Sequence, residues 1–176
     1  FATIANSGQQ CKPQSIESVT DRDENVLKEF AADCKEVISP DLANKTAALL
    51  TASAGQYYTS TRLGDGRPFA AKSGTTDGHA NTWLTGFTPS LATAVWVGHG
   101  DNSSQEVSGV VINGVYHSEI FGETYVGQNI WAPYMTQALA GTPVEAVSNA
   151  NIGATTPQRG ATPTPAPSAS PNSNDH

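Results

Sequence analysis

The residues best suited to act together chemically are five consecutive ones, Lys72-Ser73-Gly74-Thr75-Thr76. They set one ammonium group beside three hydroxyl groups, at the end of a segment, 69–74, that is predicted to be a strand. A Lys-[Ser/Thr]-Gly triplet is short and arises often by chance, and an isolated lysine is usually a solvated surface residue. The elements around the triplet therefore decide whether it forms a site.

Three histidines are weaker candidates for chemistry. His79, His99 and His117 lie in glycine-rich or polar loops and share no spacing, so they are interpreted as solvated side chains. Asp77 close to His79 resembles half of a catalytic triad, but the chain has no Gly-x-Ser-x-Gly elbow to complete it. No metal and no cofactor is predicted from these residues.

Cys11 and Cys34 are the only two cysteines. They form no Cys-x-x-Cys pair and have no histidine at metal-ligand spacing, which argues against zinc. Two buried thiols or one disulfide remain. The polar residues around each cysteine favour the disulfide, because free cysteines are usually buried. A disulfide would place the chain outside the cytoplasm.

Composition limits the class of protein. The chain has 176 residues, which suits one domain, and a net charge of −7, which argues against a nucleic-acid surface. No apolar run approaches the roughly 20 residues that span a bilayer, so no transmembrane segment is expected. The chain opens on Phe1 rather than Met, which suggests a fragment or a processed product.

Short predicted strands surround the 72–76 segment. Strands are predicted at 69–74, 82–87 and 92–98, and their short connections imply antiparallel pairing, with the Lys72 strand at one edge. The 92–98 strand is apolar enough to be central. A hairpin is expected at 14–27, and a weak hairpin around Asn113-Gly114.

Helices complete an α/β fold of the α+β type. Ser39-Pro40-Asp41 predicts a helix start, and the helix is expected to run to about Ser53 with Leu42, Leu49 and Leu50 on its packed face. A second amphipathic helix is predicted at 130–139, ended by Gly141. The three tryptophans, Trp83, Trp96 and Trp131, are expected in the core rather than as a carbohydrate platform.

The whole run from Lys72 to Gly98 resembles the third motif and the two following strands of the transpeptidase domain in class A (bifunctional) penicillin-binding proteins. The similarity extends to Phe1–Gly8, to Cys11-Lys12-Pro13, and to Trp131-Ala132-Pro133-Tyr134-Met135. The paired cysteines and a Pro/Thr/Ser/Ala-rich tail resemble actinobacterial members. The resemblance therefore covers 1 to about 147, and implies a partial penicillin-binding-protein/β-lactamase-like fold.

The resemblance implies roles for the five residues. Lys72 would supply positive charge beside a nucleophile, and the backbone N–H of Thr75 would be half of an oxyanion hole. The hydroxyls of Ser73 and Thr75 would bind the terminal carboxylate of a D-Ala-D-Ala stem peptide or of a β-lactam. Gly74 would let the substrate backbone approach, and Thr76 would support the turn.

One departure from that family is large. The family needs a nucleophilic serine in a Ser-x-x-Lys motif, and no lysine of this chain has a serine three residues before it. The only Ser-x-Asn match, Ser170-Pro171-Asn172, lies in a proline-rich stretch interpreted as part of a disordered tail, 148–176. We therefore expect 1–147 to be the C-terminal part of a transpeptidase domain, without its nucleophile.

The implied parent acts outside the cytoplasmic membrane, anchored by an N-terminal transmembrane helix that this chain lacks. Its expected partners are peptidoglycan stem peptides, β-lactams and the missing N-terminal part of the same protein. A non-catalytic extracellular wall-binding module is the alternative. A serine β-lactamase is disfavoured by the long extension after the third strand.

Overall fold

The computed structural model describes residues 1–102, 104–148 and 150. The elements are, in chain order, α1 (Ala2–Ala5), β1 (Gln9–Cys11), β2 (Ser18–Thr20), β3 (Val26–Glu29), β4 (Cys34–Glu36), α2 (Pro40–Tyr57), β5 (Ala70–Thr75), a 3-10 turn (Asp77–His79), β6 (Asn81–Thr88), β7 (Leu91–Gly98), β8 (Val110–Ile112), β9 (Val115–His117), a π-helix (Gly122–Trp131) and α3 (Ala132–Ala138). The predicted tail at 148–176 lies almost wholly outside the described residues.

The centre of the fold is a three-stranded antiparallel sheet in the order β5-β6-β7. The predicted pairing is confirmed, and so is the placement of the Lys72 strand at an edge of the described sheet. The prediction that the 92–98 strand is central was wrong, because β6 lies between the other two. The apolar character of β7 comes partly from alanines, which do not require burial on both faces, and none of its residues is fully buried.

Each face of the sheet packs on helices. Leu84 on one face lies in a core with Trp131, Val126 and Met135, so the π-helix and α3 cover that side. Ala70 and Phe87 on the other face pack on Ala47 of α2. The burial of these apolar side chains is the main term that holds β5 in place.

Helix α2 begins where it was predicted to begin. Pro40 is its first residue, and the Oγ of Ser39 accepts a hydrogen bond from the Leu42 N–H at 3.4 Å. The helix ends at Tyr57 instead of about Ser53, one turn later than expected. Its end therefore reaches the edge strand.

The predicted packed face of α2 was wrong. Leu42 and Leu49 are 57% and 58% exposed, whereas the buried residues are Ala43, Ala47 and Ala54. Small side chains at the buried positions let the helix pack closely on β5. Leu50 is partly buried against the same side.

Strands β1 to β4 form one long exposed hairpin. β1 pairs with β4, β2 pairs with β3, and the β2–β3 pair confirms the hairpin expected at 14–27. Cys11 and Cys34 are opposite each other in the β1–β4 pair and form a disulfide. The predicted disulfide is confirmed.

The C-terminal helix begins earlier than its sequence period indicated. A π-helix at Gly122–Trp131 precedes α3, where an α-helix was predicted only from Ile130. The side chain of Arg67 holds the C-terminal end of α3, since its guanidinium donates to the carbonyl oxygens of Leu139 and Thr142 at 3.3 and 3.1 Å.

The hairpin around Asn113-Gly114 is confirmed as β8–β9. Among the described residues, no helix combines the length and the apolar character needed to cross a membrane.

Candidate active site

The free edge of β5 is the first component of the candidate site. The Ser73 N–H donates to the hydroxyl of Tyr58 at 2.6 Å, so it points away from β6. Backbone groups alternate along an antiparallel strand, and the N–H and C=O of one residue point the same way. The N–H of Thr75, two residues on, therefore also points to the free edge.

Tyr58 fixes this edge from outside the sheet. It directly follows α2, its side chain is 2% exposed, and its hydroxyl holds the Ser73 N–H. The sequence contained no signal for this role, because the segment that follows Ser53 has no apolar periodicity.

The side chain of Lys72, the residue before Ser73, also reaches the free edge of β5. Its ammonium group donates to the carbonyl oxygen of Ser73 at 2.8 Å, and its side chain is exposed. Ser73 therefore has both backbone groups bonded by side chains, to Tyr58 and to Lys72. Thr75 is the next edge residue whose backbone groups face outward.

The start of the π-helix closes one side of Ser73. A Cβ at Gly122 would lie 2.7 Å from the Cβ of Ser73 and closer still to the Trp83 carbonyl oxygen. Glycine is therefore required for this close approach. The contact brings the next residue, Glu123, to the edge of β5.

A cavity of about 330 Å³ lies at this edge. It is lined by Ser53, Tyr57, Tyr58, Lys72, Ser73 and Glu123. A cavity of equal volume beside the disulfide gathers Cys11, Lys12 and Asp33, none of which was predicted to act chemically. The cavity at the β5 edge is the better candidate, because one ammonium, one carboxylate and several hydroxyls of its lining residues converge there.

No family model matches the chain. It is 35% identical over 156 residues to penicillin-binding protein 2D of Bacillus subtilis, covering 81% of this chain and 20% of that protein. It is 34% identical over 175 residues to penicillin-binding protein 1A of Mycolicibacterium smegmatis, covering 94% of this chain and 21% of that protein. The chain is homologous to the transpeptidase region of class A penicillin-binding proteins.

A solved structure supports the fold of this transpeptidase-like chain. The crystal structure of penicillin-binding protein 1A from Haemophilus influenzae superposes with a TM-score of 0.61 at 19% identity, covering 83% of this chain and 26% of that one. The expected α/β fold with an antiparallel sheet is confirmed. The chain spans about a fifth of the length of the curated relatives it matches.

Thr76 and Gly74 occupy structural positions beside the edge of this transpeptidase-like sheet. The Thr76 hydroxyl accepts the Asn81 N–H at 3.0 Å, and the Thr76 N–H donates to the Asn81 carbonyl at 3.0 Å, so Thr76 supports the turn between β5 and β6. Gly74 pairs with Trp83 across the two strands.

The prediction for two of the three tryptophans was wrong. Trp131 is fully buried, as expected, whereas Trp83 and Trp96 are 44% and 42% exposed, with ring centroids 6.3 Å apart. They are paired across β6 and β7 on the sheet face that carries Lys72 and Gly74. Apolar periodicity placed them on one face, but that face is uncovered at this end.

In the described part of the chain, none of His79, His99 and His117 lines the cavity. His79 lies edge-on to Phe121 at 5.1 Å, and His117 lies edge-on to Tyr125 at 4.6 Å. Within 1–102, 104–148 and 150, no group of three or more His, Cys, Asp or Glu residues could hold a metal ion.

Proposed function

We propose that this chain is the C-terminal part of a serine D,D-transpeptidase domain that cross-links peptidoglycan stem peptides and is acylated by β-lactams. The observation that carries the proposal is the edge of β5, where the Thr75 N–H faces outward beside the cavity lined by Lys72 and Ser73. Homology to the transpeptidase region of penicillin-binding proteins supports the same assignment.

The reaction would proceed in two steps. A serine hydroxyl attacks the carbonyl carbon of the D-Ala-D-Ala bond, the amide C–N bond breaks, and the terminal D-Ala leaves as an amine. An amine of a second stem peptide then attacks the acyl ester, the ester C–O bond breaks, and the serine recovers its proton. The nucleophilic serine comes from a segment outside these 176 residues.

This chain would supply the charge and the hydrogen-bond donors. Lys72 places a positive charge beside the nucleophile and assists proton transfer. The Thr75 N–H stabilises the developing oxyanion, with the second donor coming from the nucleophile segment. The hydroxyls of Ser73 and Thr75 bind the terminal carboxylate of the substrate.

The edge also limits how a peptide can bind. Strand addition requires free backbone groups on the edge strand. Because Tyr58 and Lys72 already bond both backbone groups of Ser73, we expect the peptide to pair at Thr75. Gly74 leaves the adjacent surface clear of a side chain.

We assign 1–147 to the transpeptidase domain and 148–176 to a tail. The assignment places the protein on the outer face of the cytoplasmic membrane, with a parent anchored by an N-terminal helix. Its partners are then stem peptides ending in D-Ala-D-Ala, β-lactams and the rest of the parent protein.

A non-catalytic wall-binding module is the second candidate. It is favoured by one specific observation, the absence of any Ser-x-x-Lys in the 176 residues. A serine β-lactamase has less support, since the match to penicillin-binding protein 1A of Mycolicibacterium smegmatis covers 94% of this chain.

Labelling with a fluorescent penicillin, followed by denaturing electrophoresis, tests the proposal. The 176-residue chain alone should take no label, because it holds no serine with a lysine three residues on. The longer protein should be labelled, and Lys72→Ala should slow labelling by about 100-fold or more, since a charge beside the reacting centre is lost. Ser73→Ala should have a smaller effect. An unlabelled longer protein would favour the wall-binding module, and a covalent adduct on the short chain would contradict the assigned roles.

A further inference from the structure

A carboxylate, that of Glu123, lines the cavity at the β5 edge. Its Oε2 is buried and has no hydrogen-bond partner among the described residues, and the side chain lines the cavity at the β5 edge. Leaving a buried acceptor without a donor costs free energy, and the cost is larger for a charged group. A donor from a bound ligand would remove that cost.

The backbone holds Glu123 in this position. Gly122 is buried against Ser73 and Trp83, where no side chain would fit. The Val126 N–H donates to the Phe121 carbonyl at 3.0 Å, which fixes the first turn of the π-helix. A closely packed turn therefore positions the carboxylate of Glu123 at the cavity. Turns of π-helix occur often at functional sites.

The chemistry of the cavity indicates what Glu123 would bind. An ionised carboxylate only accepts hydrogen bonds, and its strongest donors are cationic N–H groups. Among the described residues that line the cavity, only Lys72 carries an ammonium group, and that group donates to the Ser73 carbonyl. The site thus suits a ligand that brings its own amino group.

The proposed reaction supplies such a ligand. Ser73 would bind the carboxylate of the D-Ala that leaves, so the Ser73 side of the cavity is the leaving-group side of the broken bond. The acceptor amine must attack from the side that the leaving amine vacated, because the second step is the reverse of the first with a different amine. Glu123 lies on this side, next to Ser73.

We propose that Glu123 binds the acceptor amino group and thereby selects an amine over water for the second step. This inference rests on the proposed transpeptidase function. The acceptor is held as an ammonium ion and loses one proton to solvent. The neutral nitrogen then attacks the acyl ester, an amide bond forms, the ester C–O bond breaks, and the second proton passes to the serine oxygen.

The experiment measures the ratio of aminolysis to hydrolysis in the longer protein that carries this chain. The donor is a D-Ala-D-Ala peptide, and the acceptor is either labelled D-alanine, which is an ammonium at neutral pH, or hydroxylamine, which is uncharged. Fluorescent penicillin measures the competent fraction of each preparation. The variants are Glu123→Gln, which removes the charge at equal size, and Glu119→Gln, an exposed control in the same segment.

We expect Glu123→Gln to lower the ratio about tenfold or more with D-alanine, because a charge-assisted hydrogen bond is lost. With hydroxylamine the ratio should stay within about twofold, since the lost contact requires a cation. Glu119→Gln should match the wild type with both acceptors.

An unchanged ratio with D-alanine, or an equal loss with both acceptors, would overturn the role of Glu123. A wild-type protein that takes no penicillin would instead contradict the proposed function itself. If Glu123→Gln takes no penicillin, Glu123→Asp decides, because it keeps the charge. Loss of the preference for D-alanine over hydroxylamine in that variant would also overturn the proposal.

Discussion

The hydrogen bond from the Ser73 N–H to the Tyr58 hydroxyl makes a sharp test of the edge geometry. Tyr58→Phe removes the hydroxyl and keeps the ring in its buried position. The donor and acceptor are 2.6 Å apart and partly buried, so the substitution leaves the Ser73 N–H without that partner. The expected loss is about 1–2 kcal/mol in the free energy of unfolding.

Two measurements check this loss. Urea unfolding of the 176-residue chain should show the lower stability, with Tyr134→Phe, an exposed tyrosine of α3, as the matched control. Amide exchange should show a local effect at Ser73, about tenfold faster for each 1.4 kcal/mol lost. The exchange rate of the Thr82 amide, on the central strand, should change only as far as the global free energy of unfolding changes.

A negligible effect of Tyr58→Phe would contradict the role of the hydroxyl. If Tyr58→Phe unfolds within about 0.5 kcal/mol of the wild type, and the Ser73 amide exchanges at the wild-type rate, then the hydroxyl does not hold the edge. The outward direction of the Thr75 N–H, which follows from that bond, would then lose its support.

Three further predictions concern stability. Replacing both Cys11 and Cys34 by Ala should lower the unfolding free energy by about 3 kcal/mol on the loop-entropy account, measured by urea unfolding, because the bond closes a loop of 23 residues. Arg67→Met should cost about 1–3 kcal/mol by the same assay, because two carbonyl oxygens at the end of α3 lose the donor that the buried guanidinium provides. The hydrogen bonds and charge of Arg67 lower the pKa of Asp65 below its ordinary value of 3.8, so the stability that ionised Asp65 contributes is present above that pH and is lost as pH falls through the folded pKa. Asp65→Asn should remove this acid dependence, and an unchanged acid unfolding midpoint would contradict it.

Local patterns predicted the sheet well. The strands of 69–98 are short, rich in apolar residues and joined by turns, and these features depend only on neighbouring residues. The start of α2 was equally predictable, since Ser39 and Pro40 act on the first turn alone. What failed was the choice of buried residues on α2. Side-chain size favoured Leu42 and Leu49, whereas the fully buried residues of α2 are the alanines Ala43, Ala47 and Ala54.

The candidate site was only half predictable. Lys72, Ser73 and Thr75 are contiguous, so their motif was visible in the sequence. Tyr58 and Glu123 reach the same edge from distant segments, and no sequence period marks either of them. A π-helical start could not be expected from a period near 3.6, because its turns are wider.

The backbone groups at the free edge of β5 have two roles. Those of Ser73 are bonded by side chains of the protein, and the N–H of Thr75 is left for the substrate. Ser73 is held from both sides, by the Tyr58 hydroxyl and by the Lys72 ammonium, while Gly122 packs against its Cβ. These contacts fix the conformation of the strand at Ser73 before any ligand binds. The proposed oxyanion donor, the Thr75 N–H, is two residues further on, so it is oriented by a residue that the substrate does not need to displace. Such prior fixing of a donor is what makes electrostatic stabilisation effective, because no reorganisation is required during the reaction.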